Sequence, residues 1–330
     1  MISKGREALF FIIGLLVMLG AVWVLRPPSP ATASAPPNLW IFYARATGTQ
    51  EMLWGRRYTA AGRPRGTPLK LGPLGLTQET EVAGAGEGAV WVTTGPMVFG
   101  IREGRVWRRY PAPSGAQVLS LAVFSGRLYG VVESRQARRV SVMAWRHRWR
   151  TVKSGMPLGI TTLVAGPHHS VWALTAEPHK ARLTEVAGGQ RAYGTASLEP
   201  QGTAGFAGNQ PIIPYARGAS QFGYWSRRAH AFASVYQAAI SVTNTQPLWG
   251  LGVRGMIPFA SGRFRFGRTV PWPSPQATTL VVIGQGHPWI AVLDGFSQGR
   301  WFNVETGQFG PGFQIKTPWW AVVRAASLGS

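Results

Sequence analysis

Apolar residues fall into two patterns along the chain. The first is one unbroken run, Ala8 to Leu25, with no charged side chain inside it. As an α-helix this run would extend about 27 Å, close to the hydrocarbon thickness of a bilayer, so residues 1–25 are expected to form an N-terminal transmembrane anchor. Lys4 and Arg6 precede it, and after Arg26 no Lys or Arg occurs until Arg45, a bias that keeps the N-terminus cytoplasmic and places the rest of the chain outside. A cleavable secretory signal is the competing reading, with small-x-small sites at Ala31-Thr32-Ala33 and Ala33-Ser34-Ala35. Both readings export the remainder of the chain. Residues 26–37 (RPPSPATASAPP) carry five prolines and are expected to be an extended, semi-rigid linker.

The second pattern begins at Asn38 and consists of short β-rich segments, each entered through a Gly, Pro, His or Asn turn. Seven can be counted: Leu39–Ala44, Val90–Val92, Leu128–Val132, Val171–Leu174, Ile212–Ala216, Met256–Ala260 and Trp289–Leu293. Within one unit four strands can be placed, at Val118–Phe124, Arg127–Glu133, Arg138–Trp145 and Arg148–Val152. The next unit repeats the order at Thr161–Ala165, Ser170–Ala176, Ala181–Ala187 and Gln190–Thr195. The first unit starts at Leu39 with no room for an innermost strand. A spare one occurs at the other end, Trp319–Ala325, which is therefore expected to lie beside Leu39–Ala44.

Residues 38–330 shared among seven units give about 42 residues each, the same as the spacing between segment starts. Short strands at this period resemble the seven-bladed β-propeller superfold, over about nine-tenths of the chain. The resemblance implies an all-β domain at 38–330, closed by a C-terminal innermost strand and preceded by the transmembrane helix. No Trp-Asp dipeptide marks a WD40 repeat, and the single aspartate, Asp294, cannot furnish repeated Asp-boxes. Glu305-Thr306-Gly307-Gln308 is similar to the tight turn of quinoprotein-type repeats, in one copy. A two-sheet sandwich or large barrel is the alternative architecture, and the alanines of Ala229–Ile240 also suit a helix.

Charge narrows the chemistry. Lys and Arg number 34 against 12 Asp and Glu, a net charge of +22, with no cysteine. Calcium loops, two-metal sites and paired aspartates lack the carboxylates they need. No metal and no cofactor is expected. Gly295-Phe296-Ser297-Gln298-Gly299 matches a nucleophile elbow, but the residues after it, Arg300 to Val304, read as a strand where a helix is required, and no Asp or His occurs downstream. His168, His169 and His179 are close in sequence yet read as turn and surface residues, because adjacent residues of an extended chain face opposite ways. Gly84-Ala85-Gly86-Glu87-Gly88 reads as a loop between strands.

Arginines interleave with aromatics at Trp107-Arg108-Arg109-Tyr110, Trp145-Arg146-His147-Arg148-Trp149-Arg150 and Arg263-Phe264-Arg265-Phe266. Strand alternation would send the rings to an inter-sheet core and the guanidiniums to solvent. The resulting positive field attracts anionic polymers and acidic surfaces. A habitat at low pH would also select against acids, with no ligand involved. By analogy with propellers generally, a ligand is expected where the loops between second and third strands meet the channel. Those loops hold Arg45, Arg135, Glu177, His179, Lys180, Arg217 and Asp294. The expected function is a membrane-anchored extracytoplasmic binding or scaffold module for envelope proteins or anionic envelope polymers; nucleic acid would be drawn by the same field, but export makes that partner less accessible. The alternative is a polysaccharide lyase or hydrolase of the cell envelope.

Overall fold

The computed structural model describes residues 35–74, 82–86, 89–124, 126–134, 139–156, 161–177, 180–189, 191–196, 199–200, 202–217, 221–227, 230–232, 241–243, 247–252, 254–259, 267–273, 280–282, 288–293, 298–315 and 322–327. The expected anchor (1–25) and all but the end of the linker (26–37) lie outside these. Among the described residues no helix is long and apolar enough to cross a membrane.

The unit Pro36–Ser330 is built from seven antiparallel sheets whose strands pair in chain order. Sheet 1 contains Val322–Ser327, Leu39–Thr47, Gln50–Tyr58 and Pro64–Pro73, and sheet 2 contains Val82–Gly86, Ala89–Thr93, Met97–Arg102 and Arg105–Pro111. Sheet 3 comes next with Ala116–Phe124, Arg127–Ser134, Arg139–Arg146 and Arg148–Met156, and then sheet 4 with Thr161–Ala165, Val171–Glu177, Lys180–Ala187 and Ala192–Ala196. In sheet 5 two short strands, Glu199–Pro200 and Gly205–Ala207, share the edge of Gln210–Arg217, which is followed by Gln221–Ser226 and His230–Phe232. Sheet 6 has Ser241–Val242, Trp249–Gly252, Gly255–Pro258 and Val270–Pro271; sheet 7 has Leu280–Val282, Trp289–Leu293, Gln298–Asn303 and Gln308–Gln314.

The two-residue alternation behind these strands is plain in Arg139–Arg146, where Val140, Val142 and Ala144 are buried and the residues between them are less so. Turn chemistry sets the registers. Glu103 (φ 51°) and Gly104 (φ 83°) are both left-handed between the partners Arg102 and Arg105, the geometry of a two-residue hairpin whose twist matches its strands. At residues 303–308 the Asn303 side-chain carbonyl accepts from the Glu305 and Thr306 N–H groups at 2.9 and 3.0 Å, and Gly307 takes φ +67°, so the expected tight turn is present.

Each seam between sheets is filled by a buried apolar cluster. Trp91, Val98 and Tyr110 of sheet 2 pack on Val118, Val123 and Val132 of sheet 3. Val131, Val140 and Val142 continue onto Leu163, Val171 and Ala173, and Val164, Trp172 and Leu183 onto Phe206 and Ile213. Ile212 and Tyr224 meet Val242, Ile257 and Phe259, and Trp249, Leu251 and Met256 meet Ile290, Phe302 and Val304. The last cluster joins sheet 1 on both sides, with Leu39–Tyr43 between Val90, Phe99 and Ile101 of sheet 2 and Trp289, Trp301 and Phe313 of sheet 7. Packing therefore runs from sheet to sheet and returns to its start, the arrangement of a β-propeller and not of two stacked sheets or one barrel.

The expected pairing of the two ends is present. Val322–Ser327 runs antiparallel to Leu39–Tyr43, with Leu39 opposite Ser327 and Tyr43 opposite Val322 and a bulge between Phe42 and Tyr43. The described strand is Val322–Ser327, and Trp319, Trp320 and Ala321 of the expected Trp319–Ala325 lie outside the described residues. Two other readings change. Gly84–Gly86 is strand, not loop, because Val82–Gly86 pairs with Ala89–Val92 and small residues suit an innermost strand that must approach its neighbours closely. Within Ala229–Ile240, His230–Phe232 is a strand paired with Gly223–Trp225, and not helix.

Candidate functional site

The seven residues expected at the channel mouth all fall, in chain order, at connections between second and third strands. Glu177 and Lys180 are register partners closing one hairpin, and Arg217 with Gln221 closes another. Arg135, His179 and Asp294 lie outside the described residues, as do the side chains of Glu177, Lys180 and Arg217. Arg45 is described in full: it is exposed near the end of its strand, with its guanidinium carbon 6.0 Å from the centroid of the Trp54 ring. Gln298–Asn303 is a strand starting directly after Ser297, so the helix that a nucleophile elbow needs is absent there. His168 and His169 sit exposed in a short turn, both with left-handed φ.

The described polar chemistry is concentrated elsewhere, at the seam between sheets 2 and 3. The outer strand of sheet 2, Arg105–Pro111, is bulged: Ile101 pairs with Val106 while Gly100 pairs with Arg108, leaving Trp107 outside the ladder. The extra residue brings Trp107 against Trp91, ring centroids 5.8 Å apart, on the side of Tyr110, and leaves it 40% exposed, so the expected burial of the aromatics does not hold at Trp107. Arg108 lies over the Trp107 ring at 4.3 Å and donates through Nη1 to the Tyr110 hydroxyl at 2.9 Å. Tyr110 is buried and stacks on both Trp91 (5.2 Å, 18°) and Trp145 (3.8 Å, 20°). Trp145 meets Trp149 edge to face at 5.4 Å, and Trp149 Nε1 donates to the Pro111 carbonyl at 2.9 Å, tying sheet 3 to sheet 2.

This aromatic row depends on Gly100. A Cβ there would stand 2.8 Å from Trp91 and 2.9 Å from the Trp107 indole nitrogen. Its setting is strongly cationic. The outer strands Arg105–Pro111 and Arg148–Met156 present Arg105, Arg108, Arg109, Arg148 and Arg150 to solvent and contain no acid. Glu103 approaches Arg105 at 3.9 Å, but both side chains are mostly exposed, so that pair is screened and neutralises little. Planar guanidiniums and an exposed indole side by side can pair with anionic groups and stack on flat rings at once.

A second cluster, on sheet 1, was not singled out in the sequence. Trp54 Nε1, Arg56 Nε and the Tyr58 hydroxyl are buried without a hydrogen-bond partner. Burial pushes the Tyr58 hydroxyl up to about 12, against an opposing pull from Arg56. Burial likewise raises Tyr43, opposed by Arg56 and Arg45. A third buried polar group lies on sheet 4: the Glu185 carboxylate is 1% exposed, with Oε2 3.4 Å from Arg191 Nε and Oε1 unpartnered.

Comparison with known proteins speaks to the fold. No protein-family model matches the chain, and no curated protein matches its sequence. Among solved structures, a protein of unknown function from Bacteroides caccae superposes with a TM-score of 0.51 at 9% identity, over 90% of this chain and 100% of its own. Apo AztD from Citrobacter koseri gives 0.50 at 7% identity, over 89% of this chain and 98% of its own. Raptor from Chaetomium thermophilum gives 0.51 at 11% identity, over 78% of this chain and 26% of its own. The neighbours are β-propeller proteins, and likeness at these identities carries the fold alone.

Proposed function

We propose that this protein is a membrane-anchored, extracytoplasmic seven-bladed propeller that binds an anionic polymer of the cell envelope, with the surface across the outer strands of sheets 2 and 3 as its main contact. The observation that supports this reading is the row of five exposed arginines with no acid on the same two strands, set against a stacked aromatic row that turns Trp107 out to solvent. Arginine pairs with carboxylate or phosphate groups, and an indole face packs on the flat face of a sugar ring, so the two together suit an acidic glycan. The channel-mouth residues Arg45, Arg135, Lys180 and Arg217 extend the positive field and make a second, weaker contact. Anchoring by residues 1–25 and a linker over 26–37 would hold this surface off the membrane, within reach of envelope material.

The test is a titration of the exported domain with polygalacturonate, against neutral dextran, monitored by intrinsic fluorescence. Trp107→Ala combined with Arg108→Gln is expected to weaken binding more than tenfold. Charge reversal at Arg45, Arg135 and Arg217 together is expected to weaken it less. Equal binding by wild type and the Trp107/Arg108 variant removes the assignment of this surface.

A further inference from the structure

We propose that the face of sheet 1 turned toward sheet 7 contains a binding site for a single oxyanion, a carboxylate, phosphate or sulfate group, held by Arg56 and Tyr58, with the Trp54 indole as a further unpartnered donor on the same face. This goes beyond the polymer reading and does not depend on it, since it concerns a different sheet and a buried group rather than a surface.

The placement comes from register. Leu39–Thr47 and Gln50–Tyr58 pair over nine positions without a shift, so Trp54, Arg56 and Tyr58 share one face with Tyr43 and Arg45. The opposite face, with Trp40, Phe42 and Gly55, turns toward sheet 2, because Gly72 opposite Leu53 lies against Phe99 of sheet 2. Sheet 7 therefore covers the face of Trp54, Arg56 and Tyr58. The seam is closed by Trp301, whose indole nitrogen donates to the Ala60 carbonyl at 2.8 Å.

The donor set is what specifies the ligand. Trp54 Nε1 and Arg56 Nε can only donate, and the Tyr58 hydroxyl, fully buried, holds its proton far above neutral pH. No carboxylate of sheet 1 shares their face next to them, and among the described residues of sheet 7 the sole acid, Glu305, is exposed in its turn. A water molecule would accept two hydrogen bonds and bring two more donors into a place already rich in them. An oxyanion accepts several, brings none, and offsets the Arg56 charge, with Arg45 over Trp54 at the open end of the same face. Buried donors left unmade are costly, so a group that completes them binds with that cost as its driving force.

The experiment is thermal unfolding of the whole chain in detergent, in sodium phosphate and in sodium chloride at matched ionic strength. It compares wild type, Tyr58→Phe, Arg56→Gln and the surface control Arg182→Gln, an exposed residue of sheet 4 outside both proposed contacts. Phosphate stabilises proteins generally by exclusion, so the readout is the difference between variants. Wild type and Arg182→Gln are expected to gain several degrees in phosphate, while Tyr58→Phe and Arg56→Gln lose at least half of that gain. In chloride, Tyr58→Phe is expected to melt no lower than wild type, because the hydroxyl it lacks has no partner there. A Tyr58→Phe gain equal to that of wild type overturns the site. So does a Tyr58→Phe melting point well below wild type in chloride, which would mean the hydroxyl was already satisfied. Should Arg56→Gln fail to fold, Tyr58→Phe decides alone. Repeating the polygalacturonate titration with Tyr58→Phe identifies the source: unchanged affinity assigns the site to a free anion, and reduced affinity to a carboxylate of the polymer. Failure of the Trp107/Arg108 test leaves both phosphate outcomes intact.

Discussion

Ending the chain after residue 321 removes the strand Val322–Ser327 and should cost the domain much of its stability. That strand makes five register pairs with Leu39–Tyr43. An antiparallel ladder forms roughly one hydrogen bond per pair, at about 1 kcal/mol net each, so about 5 kcal/mol is lost before any side chain is counted. Leu39, Trp40, Ile41 and Phe42 are at most 2% exposed in the intact fold, and opening their strand edge adds an apolar loss on top. Whole domains are stable by only about 5–15 kcal/mol, so the truncated chain should sit at the edge of unfolding. Urea denaturation monitored by tryptophan fluorescence measures it, with midpoints compared directly because a domain of this size need not unfold in one step. A synthetic peptide of residues 316–330 added in trans should recover part of the loss. A truncated chain with the wild-type midpoint would refute the claim that this pairing closes the ring.

Alkali gives a test with a definite sign. Tyr58 and Tyr224 have folded pKa values raised by burial, so above pH 10 the unfolded chain loses protons that the folded chain keeps. Stability is then fully present below pH 10 and falls as pH rises toward 12, by up to ~1.4 kcal/mol per pH unit for each tyrosine. Urea midpoints taken across that window measure the slope, and Tyr224→Phe should flatten it. At neutral pH the same substitution removes the 2.7 Å bond to the Leu251 carbonyl and should cost about 1–3 kcal/mol. Gly100→Ala should destabilise by about 1–3 kcal/mol through overpacking against Trp91 and Trp107, seen as a lowered midpoint and a shifted tryptophan emission. Trp301→Ala, at a side chain with no exposed surface, should cost about 3–5 kcal/mol and loosen the seam between sheets 7 and 1, read as faster amide exchange at Ala60–Gly62.

The ring was legible because its repeat is carried by residues whose role is local: β-branched and aromatic runs for the strands, Gly and Asn for the turns. The junction of the two ends was legible for a different reason, a count of strands that left one missing at Leu39 and one spare after residue 318. The arginine and aromatic surface was legible only as composition. Strict alternation sets Trp107 and Tyr110, three positions apart, on opposite faces, and the bulge that brings Trp107 beside Trp91 and Tyr110 comes with the pairing of Gly100 with Arg108, a partner 8 positions away whose register no local pattern fixes. The donor cluster of sheet 1 was hidden more thoroughly. Trp54, Arg56 and Tyr58 read as an ordinary half-buried strand face, and what sets them apart is the lack of an acceptor across a seam formed by residues some 240 positions later. Small strands such as Glu199–Pro200 and Ser241–Val242 escaped because two residues carry no periodicity.

The most direct measurement of the proposed function is hydrogen exchange of the domain with and without polygalacturonate. Exchange is expected to slow in Arg105–Pro111 and Arg148–Met156, whose outer edges face solvent, with weaker effects at the hairpins around Arg45 and Arg217. Protection confined to other sheets, or none on polymer addition under conditions where binding is saturated, would contradict it.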